Sequence, residues 1–182
     1  MNFLATSIPD VITIEPVVFK DERGFFMETF NEKKFREAGI DCNFVQDNHS
    51  RSRQGTLRGL HYQIRQSQGK LVRVVLGEVF DVAVDIRRSS PTYGQWVSCV
   101  LSAENKLQLW IPPGFAHGFL TLTPWAEMVY KATDFYAPQY ERTILWNDET
   151  LSVAWQVPPG GTLLLSSKDL QGARFDQAEV YD

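Results

Sequence analysis

The chain reads as a mainly β protein: short strands forming a sandwich or barrel, with few short helices. Three observations predict this. From Phe44 almost to the end, short apolar or alternating runs are broken by turn residues. Helical periodicity is confined to a brief stretch near the start. The run from Val79 to Ile86 alternates cleanly, with Phe80, Val82, Val84 and Ile86 on one face and Val79, Asp81, Ala83 and Asp85 on the other. Two acids on a half-apolar face predict a polar interior.

Taken in order, Val11 to Phe19 alternates as a strand should. Asp21-Glu22-Arg23-Gly24 is a turn, and Phe25 to Phe30 returns as a second strand, so residues 11–30 read as a hairpin. Asn31 is a helix N-cap type, Glu32 to Ala38 follow as one short helix, and Gly39 stops it. Phe44 to His49 is a strand, and Arg51 to Gly55 a polar loop. Further strands are expected at Lys70 to Leu76, Val79 to Ile86, Gln95 to Leu101, Leu107 to Ile111, Gly118 to Thr123 and Ala126 to Thr133. In the tail, Pro158 to Gly161 reads as a loop and Ser167-Lys168-Asp169 as the opening of a short helix. With no repeat and no linker, the 182 residues are expected to form a single domain.

Composition excludes several classes. A net charge of −4 argues against broad attraction to nucleic acid. Cys42 and Cys99 are too few for a disulfide framework and read as free thiols in a reducing, cytoplasmic setting. The start of the chain lacks a signal-peptide pattern, and no apolar run reaches membrane-spanning length.

Chemistry centres on Thr56 to Gln63, T-L-R-G-L-H-Y-Q. His61 is one of three histidines in the chain, and His117 follows a Pro-x-Gly-x-x-His turn. Both are expected to point into one pocket. Arg58 and His61 have opposite parity, which on a regular strand puts them on opposite faces. Gly59 between them can mark a bulge that turns both inward; spacing alone leaves the two readings even. A histidine on a strand is more often a satisfied polar residue than a catalyst. Here Asp81 or Asp85 is available to orient either ring, favouring its charged form. Metal ligation would need a third donor, and Tyr62 and Gln63 stand where a His-x-His pair would continue, so no metal is expected. Lys70, Tyr130, Arg23 and Lys168 read singly as ordinary surface or core residues; together, the cations could neutralise phosphates.

The motifs D-E-R-G-F-F from Asp21, F-V-Q-D-N-H-S from Phe44, L-R-G-L-H-Y-Q from Leu57, Q-G-K-L-V-R from Gln68, G-E-V-F-D-V-A-V-D-I-R from Gly77, W-I-P-P-G-F-A-H-G-F from Trp110, Y-K-A-T from Tyr130 and I-L-W-N-D from Ile144 together resemble the dTDP-4-dehydrorhamnose 3,5-epimerase family. The likeness spans Ile8 to about Gln177. It departs at Tyr62, where Phe is common, and at Pro113, where Glu is common. The resemblance implies a cupin-type jelly-roll β-barrel and an isomerase of dTDP-L-rhamnose biosynthesis that needs no cofactor. It implies His61 as general base, Asp169 as the acid paired with it, Tyr130 as proton donor and Lys70 as a cation near the sugar ketone. His117 is implied as a further pocket residue. Arg23, Glu28, Gln46, Asp47, Asn48, Arg58, Glu141 and Lys168 are implied as nucleotide-sugar contacts, with Tyr136 stacking on thymine and Phe26 as its neighbour. A homodimer is also implied, the early hairpin reaching the partner subunit. The competing readings are a single-centre epimerase of a related nucleotide sugar, a metal-dependent cupin oxygenase or isomerase, and a non-catalytic sugar-binding cupin.

Overall fold

The computed structural model describes residues 1–157 and 160–182. In chain order the strands are β1 (Asn2–Ala5), β2 (Ile12–Glu15), β3 (Val18–Asp21), β4 (Gly24–Met27), β5 (Gln46–Arg53), β6 (Leu57–Gln63), β7 (Lys70–Leu76), β8 (Glu78–Asp85), β9 (Trp96–Ser102), β10 (Gln108–Ile111), β11 (Phe115–Thr121), β12 (Trp125–Ala132) and β13 (Glu141–Thr143). The helices are α1 (Glu32–Glu37) and α2 (Ser167–Leu170). One sheet has the order β1-β2-β10-β7-β12-β5 and a second the order β13-β6-β11-β8-β9, while β3 and β4 form a separate ribbon. From β5 onward most consecutive strands change sheet, and pairing within the named strands is antiparallel. This is the cupin-type jelly roll that the family resemblance implies, and it realises the sandwich or barrel read from the strand pattern.

The two faces of β8 explain where the site sits. Val79 and Ala83 pack with Val72, Val74 and Met128 between the sheets. Asp81 and Asp85 share that inner face and are wholly buried, so the interior is polar as the alternation predicted. Phe80, Val82, Val84 and Ile86 pack on the outer side with Leu151 and Phe175 of the C-terminal segment. Each fully buried aliphatic side chain there contributes on the order of 1.5–3 kcal/mol. The tail thus covers one sheet and brings its own residues to the strand ends. The outer face of the six-stranded sheet is partly covered by α1, whose Phe35 packs with Ile14, Leu71 and Trp110. Asn31 caps α1 by accepting from the Lys34 N–H at 3.2 Å.

Several elements differ from expectation. The first expected strand breaks at Pro16, which lacks an N–H to continue a ladder. Its first half, β2, joins the large sheet through β10, and only β3 and β4 make the hairpin. Residues Arg51 to Arg53 are strand, not loop. Their polarity hid the pattern: Ser50 and Ser52 alternate with Arg51 and Arg53, and β5 pairs with β12 along its full length. β11 begins at Phe115 rather than Gly118, so His117 lies within a strand. β1 and β13 were not anticipated. Asp85 orients no histidine. It accepts from Arg87, Ser90 and Thr92 instead, and these bonds hold it low in pKa, at about 2, against the opposing effect of burial. Gly160 and Gly161 lie in irregular chain; Pro158 and Pro159 of the same expected loop fall outside the described residues.

Candidate active site

The site begins with a bulge in β6. His61 pairs with His117 on β11, but Arg58 pairs with Phe119, so three steps on β6 match two on β11. The extra residue is taken up at Gly59, whose φ is +135°. A Cβ at Gly59 would lie 2.5 Å from Gly118 Cα, so the two strands can approach only as glycines. Leu57, Leu60 and Tyr62 consequently all join the outer apolar cluster. Arg58 and His61 both line a single cavity of about 530 Å³ between the sheets. The inward reading of the bulge is the one realised.

Asp169 reaches His61 from the C-terminal strap. The Leu164 N–H donates to Gly55 O at 2.8 Å and the Leu57 N–H to Leu164 O at 3.1 Å, which lays the strap beside the start of β6. α2 follows and points Asp169 at β6. The Asp169 side chain is 3% exposed, and its Oδ1 stands 2.8 Å from His61 Nε2. The ring N–H is not aimed along that line, for Nε2 has no partner of hydrogen-bond geometry; the contact is close but is not a hydrogen bond. Burial by itself would raise the Asp169 pKa. The close contact with His61 and the hydrogen bonds from Ser166 and the Gly59 N–H outweigh it and hold the carboxyl well below the usual range.

A second histidine–acid pair lies alongside. His117 Nε2 is 2.9 and 3.0 Å from the two oxygens of Asp81. Asp81 is therefore the acid that orients a ring, and the ring is that of His117. Across the cavity, on the other sheet, stand Tyr130 of β12 and Lys70 at the start of β7. Desolvation pulls Lys70 down to a pKa of about 8, with Asp81 and Glu141 acting in the opposite sense. Desolvation pushes the Tyr130 phenol up, and the Glu141 charge adds to it. Arg58 Nε donates to Ser52 Oγ at 3.1 Å.

A polar chain runs along one margin. Gln46 Nε2 donates to Asn48 Oδ1 at 3.0 Å, the Tyr136 N–H donates to Gln46 Oε1 at 2.9 Å, and the Tyr136 hydroxyl donates to Glu141 Oε2 at 2.8 Å. Glu141 also pairs with Lys168. Burial opposes the ionisation of Glu141, but Lys168 and Tyr136 together lower its pKa.

Gln46, Asn48 and Tyr136 are linked to the cavity lining through Glu141 rather than forming part of it, and four other expected contacts are not brought to this cavity within one chain. Arg23 pairs with Asp21 in the β3–β4 turn, Phe26 on the same ribbon is 71% exposed, and Glu28 pairs with Lys34 of α1. Asp47 pairs with Lys131 on the outer face of β5, opposite Gln46 and Asn48. Among the described residues no group of three or more His, Cys, Asp and Glu is placed to hold a metal ion. The apolar lining from Phe119, Met128, Leu164 and Leu165 was not foreseen. Neither was Gln63, which braces the loop carrying Tyr136 by donating to Phe135 O and accepting from the Ala137 N–H. Ser166 was missed as well, although its Ser-x-x-Asp spacing is a capping pattern visible in the sequence.

A family model described as dTDP-4-dehydrorhamnose 3,5-epimerase matches residues 5–177. The chain belongs to the dTDP-4-dehydrorhamnose 3,5-epimerase family. A curated member from Pseudomonas aeruginosa is 62% identical over 182 residues, covering 100% of this chain and 99% of that one. The crystal structure of a 3,5-epimerase from Legionella pneumophila, in complex with dTDP-4-keto-L-rhamnose, aligns with a TM-score of 0.95 at 51% identity, over 98% of this chain and 94% of that one. A more distant solved structure, a 3'-monoepimerase from Streptomyces bikiniensis in complex with dTDP-quinovose, aligns with a TM-score of 0.89 at 36% identity, over 96% of this chain and 88% of that one. Solved structures similar to this chain are therefore described as acting at one centre and at two.

Proposed function

We propose that the chain epimerises carbons 3 and 5 of dTDP-4-dehydro-6-deoxy-D-glucose to give dTDP-4-dehydro-L-rhamnose, with His61 as base, Tyr130 as acid and Lys70 as the cation at the ketone. The observation that carries this reading is the opposition of His61 and Tyr130: they stand on different sheets with one cavity between them. Hydrogens on carbons 3 and 5 are acidified by the ketone at carbon 4. With Nε2 against Asp169, Nδ1 of His61 is the nitrogen left to take one of them. Asp169 stabilises the imidazolium that forms. The electron pair moves onto the ketone oxygen as an enolate, where the Lys70 ammonium offsets the charge in a site shielded from water. Tyr130 then returns a proton to the opposite face, which inverts the centre. One proton leaves and one arrives at each carbon, so the ketone is restored and no redox step occurs.

The polar margin of Tyr136, Glu141, Lys168, Gln46 and Asn48 suits a nucleotide end, and Arg58 a phosphate. Arg23, Phe26 and Glu28 are read as contributions from the hairpin of a partner subunit in a homodimer. The exposed Phe19, Phe25 and Phe26 of that hairpin support this. The chain is read as one domain working in the cytoplasm; no described helix is long and apolar enough to cross a membrane.

The test is incubation with the 4-keto substrate in deuterated water, followed by proton NMR of the product. Deuterium at both carbons with inversion at both is the expected result. Inversion at carbon 3 alone would support the single-centre reading instead.

A further inference from the structure

We infer that Ser166 is a positioning residue for this reaction, fixing the Asp169 carboxylate so that one of its oxygens is left to His61. The inference rests on the reading of His61 and Asp169 as base and supporting acid.

Ser166 is the N-cap of α2, and Asp169 is the third residue of that helix. Together they form a reciprocal capping box. Ser166 Oγ accepts from the Asp169 N–H at 3.2 Å. The same hydroxyl donates to Asp169 Oδ2 at 2.5 Å, and the Ser166 N–H donates to that oxygen at 3.1 Å. Two donors thus hold Oδ2. The other oxygen, Oδ1, accepts from the Gly59 N–H at 3.0 Å and faces His61 Nε2 at 2.8 Å. The carboxylate cannot turn about its own axis without giving up these bonds.

In an ordinary capping box the acid serves the helix and its charge points to water. Here the acid is 2% exposed, and its free side is the wall of the cavity behind the base. Water has little access to replace a lost donor, so removal of the hydroxyl is felt by the carboxylate and, through it, by the imidazole. Ser166 also lines the cavity beside Lys168 and Asp169, while no described contact ties its side chain to another element. Among the described residues, the hydrogen bonds of its side chain are directed at Asp169.

Four variants test this. Ser166→Ala is expected to lower kcat about tenfold, the scale of one hydrogen bond to a charged group, with little change in KM. Ser166→Thr keeps the hydroxyl and should restore most of the loss. Ser166→Asp is the decisive variant. Aspartate caps a helix as well as serine, but at neutral pH it has no side-chain proton to give Asp169 and sets a second negative charge beside it. Its kcat should therefore fall at least as far as that of the alanine variant. Wild-type kcat in Ser166→Asp, or a loss in Ser166→Ala confined to KM or to thermal stability, would reduce Ser166 to a helix cap. Asp169→Asn separates the two levels of inference. If that variant turns over normally, the support of His61 by Asp169 is wrong and the role of Ser166 falls with it. If Asp169→Asn is slow while Ser166→Ala is not, only the role of Ser166 fails.

Discussion

At the scale of single residues, the site divides by sheet. Tyr130 faces His61 from the opposite sheet, and its phenol is held above its ordinary pKa by desolvation and by Glu141. It is therefore protonated through the neutral range and able to act as the acid. In Tyr130→Phe the ring remains and the donor is lost. His61 can still remove a substrate hydrogen and return a deuteron to the same face. Deuterium incorporation with retention at one or both carbons should then outpace inversion, as read by NMR in deuterated water; equal loss of both would remove Tyr130 from the role of opposite-face acid. Lys70 has a different signature. Its pKa is pulled down to about 8 by desolvation, so the free enzyme loses this cation as pH rises through that region. The wild-type kcat/KM should fall there, since that ratio reports groups of the free enzyme. Lys70→Ala should lack this basic limb and lose more in kcat than in nucleotide affinity, because the cation matters most when the enolate forms. A basic limb that persists unchanged in the variant would assign it to another group.

At the scale of elements, β6 decides whether the site exists. Its apolar residues change parity across Gly59, and that change brings Arg58 to the same side as His61. Spacing could not settle this, because a glycine in a strand is compatible with a bulge or with regular pairing. What settles it is the partner strand: Gly118 lies where any side chain at residue 59 would collide. Gly59→Ala would put a Cβ 2.5 Å from Gly118 Cα on a backbone at φ +135°. The variant is expected to be destabilised by about 1–3 kcal/mol, read from the denaturant midpoint. Its activity should fall further than stability explains, because the Gly59 N–H donor to Asp169 moves with the strand. A folded variant with wild-type turnover would show that β6 tolerates another path. The strands from β7 to β12 were legible as short, largely apolar runs between turns, with clean alternation in β8 and with the start of β11 read three residues late. β5 was half-legible, since its serines and arginines carry no hydrophobic period. The approach of α2 to β6 was not legible in pattern or spacing, and only the family resemblance paired Asp169 with His61: the two are far apart in sequence, and a strap bonded to Gly55 and Leu57 brings them together.

At the scale of the whole molecule, the jelly roll places the chemistry between its sheets and leaves the hairpin of β3 and β4 outside both. Composition and alternation made the fold class legible, but not the strand order, which depends on how the two sheets and the tail bury each other. The hairpin is the part that one chain leaves unexplained. Phe19, Phe25 and Phe26 are 63%, 55% and 71% exposed, a local apolar surface of the kind that marks an interaction site. Among the described residues, Arg23 at its turn has only Asp21 as ion-pair partner. If this hairpin completes the cavity of a second copy, each site in a dimer draws His61 from one subunit and Arg23 from the other. Arg23→Ala and His61→Ala dimers would each be impaired, one in substrate affinity and one in turnover. Unfolding the two variants together and refolding them as hybrids would produce dimers with one site carrying both lesions and one site carrying neither. Activity at low substrate should then rise well above that of either variant alone, while light scattering reports a dimer throughout. A mixture no more active than the average of its parents, or a fully active monomer, would mean that the hairpin serves no partner's site and that Arg23 is a residue of the surface.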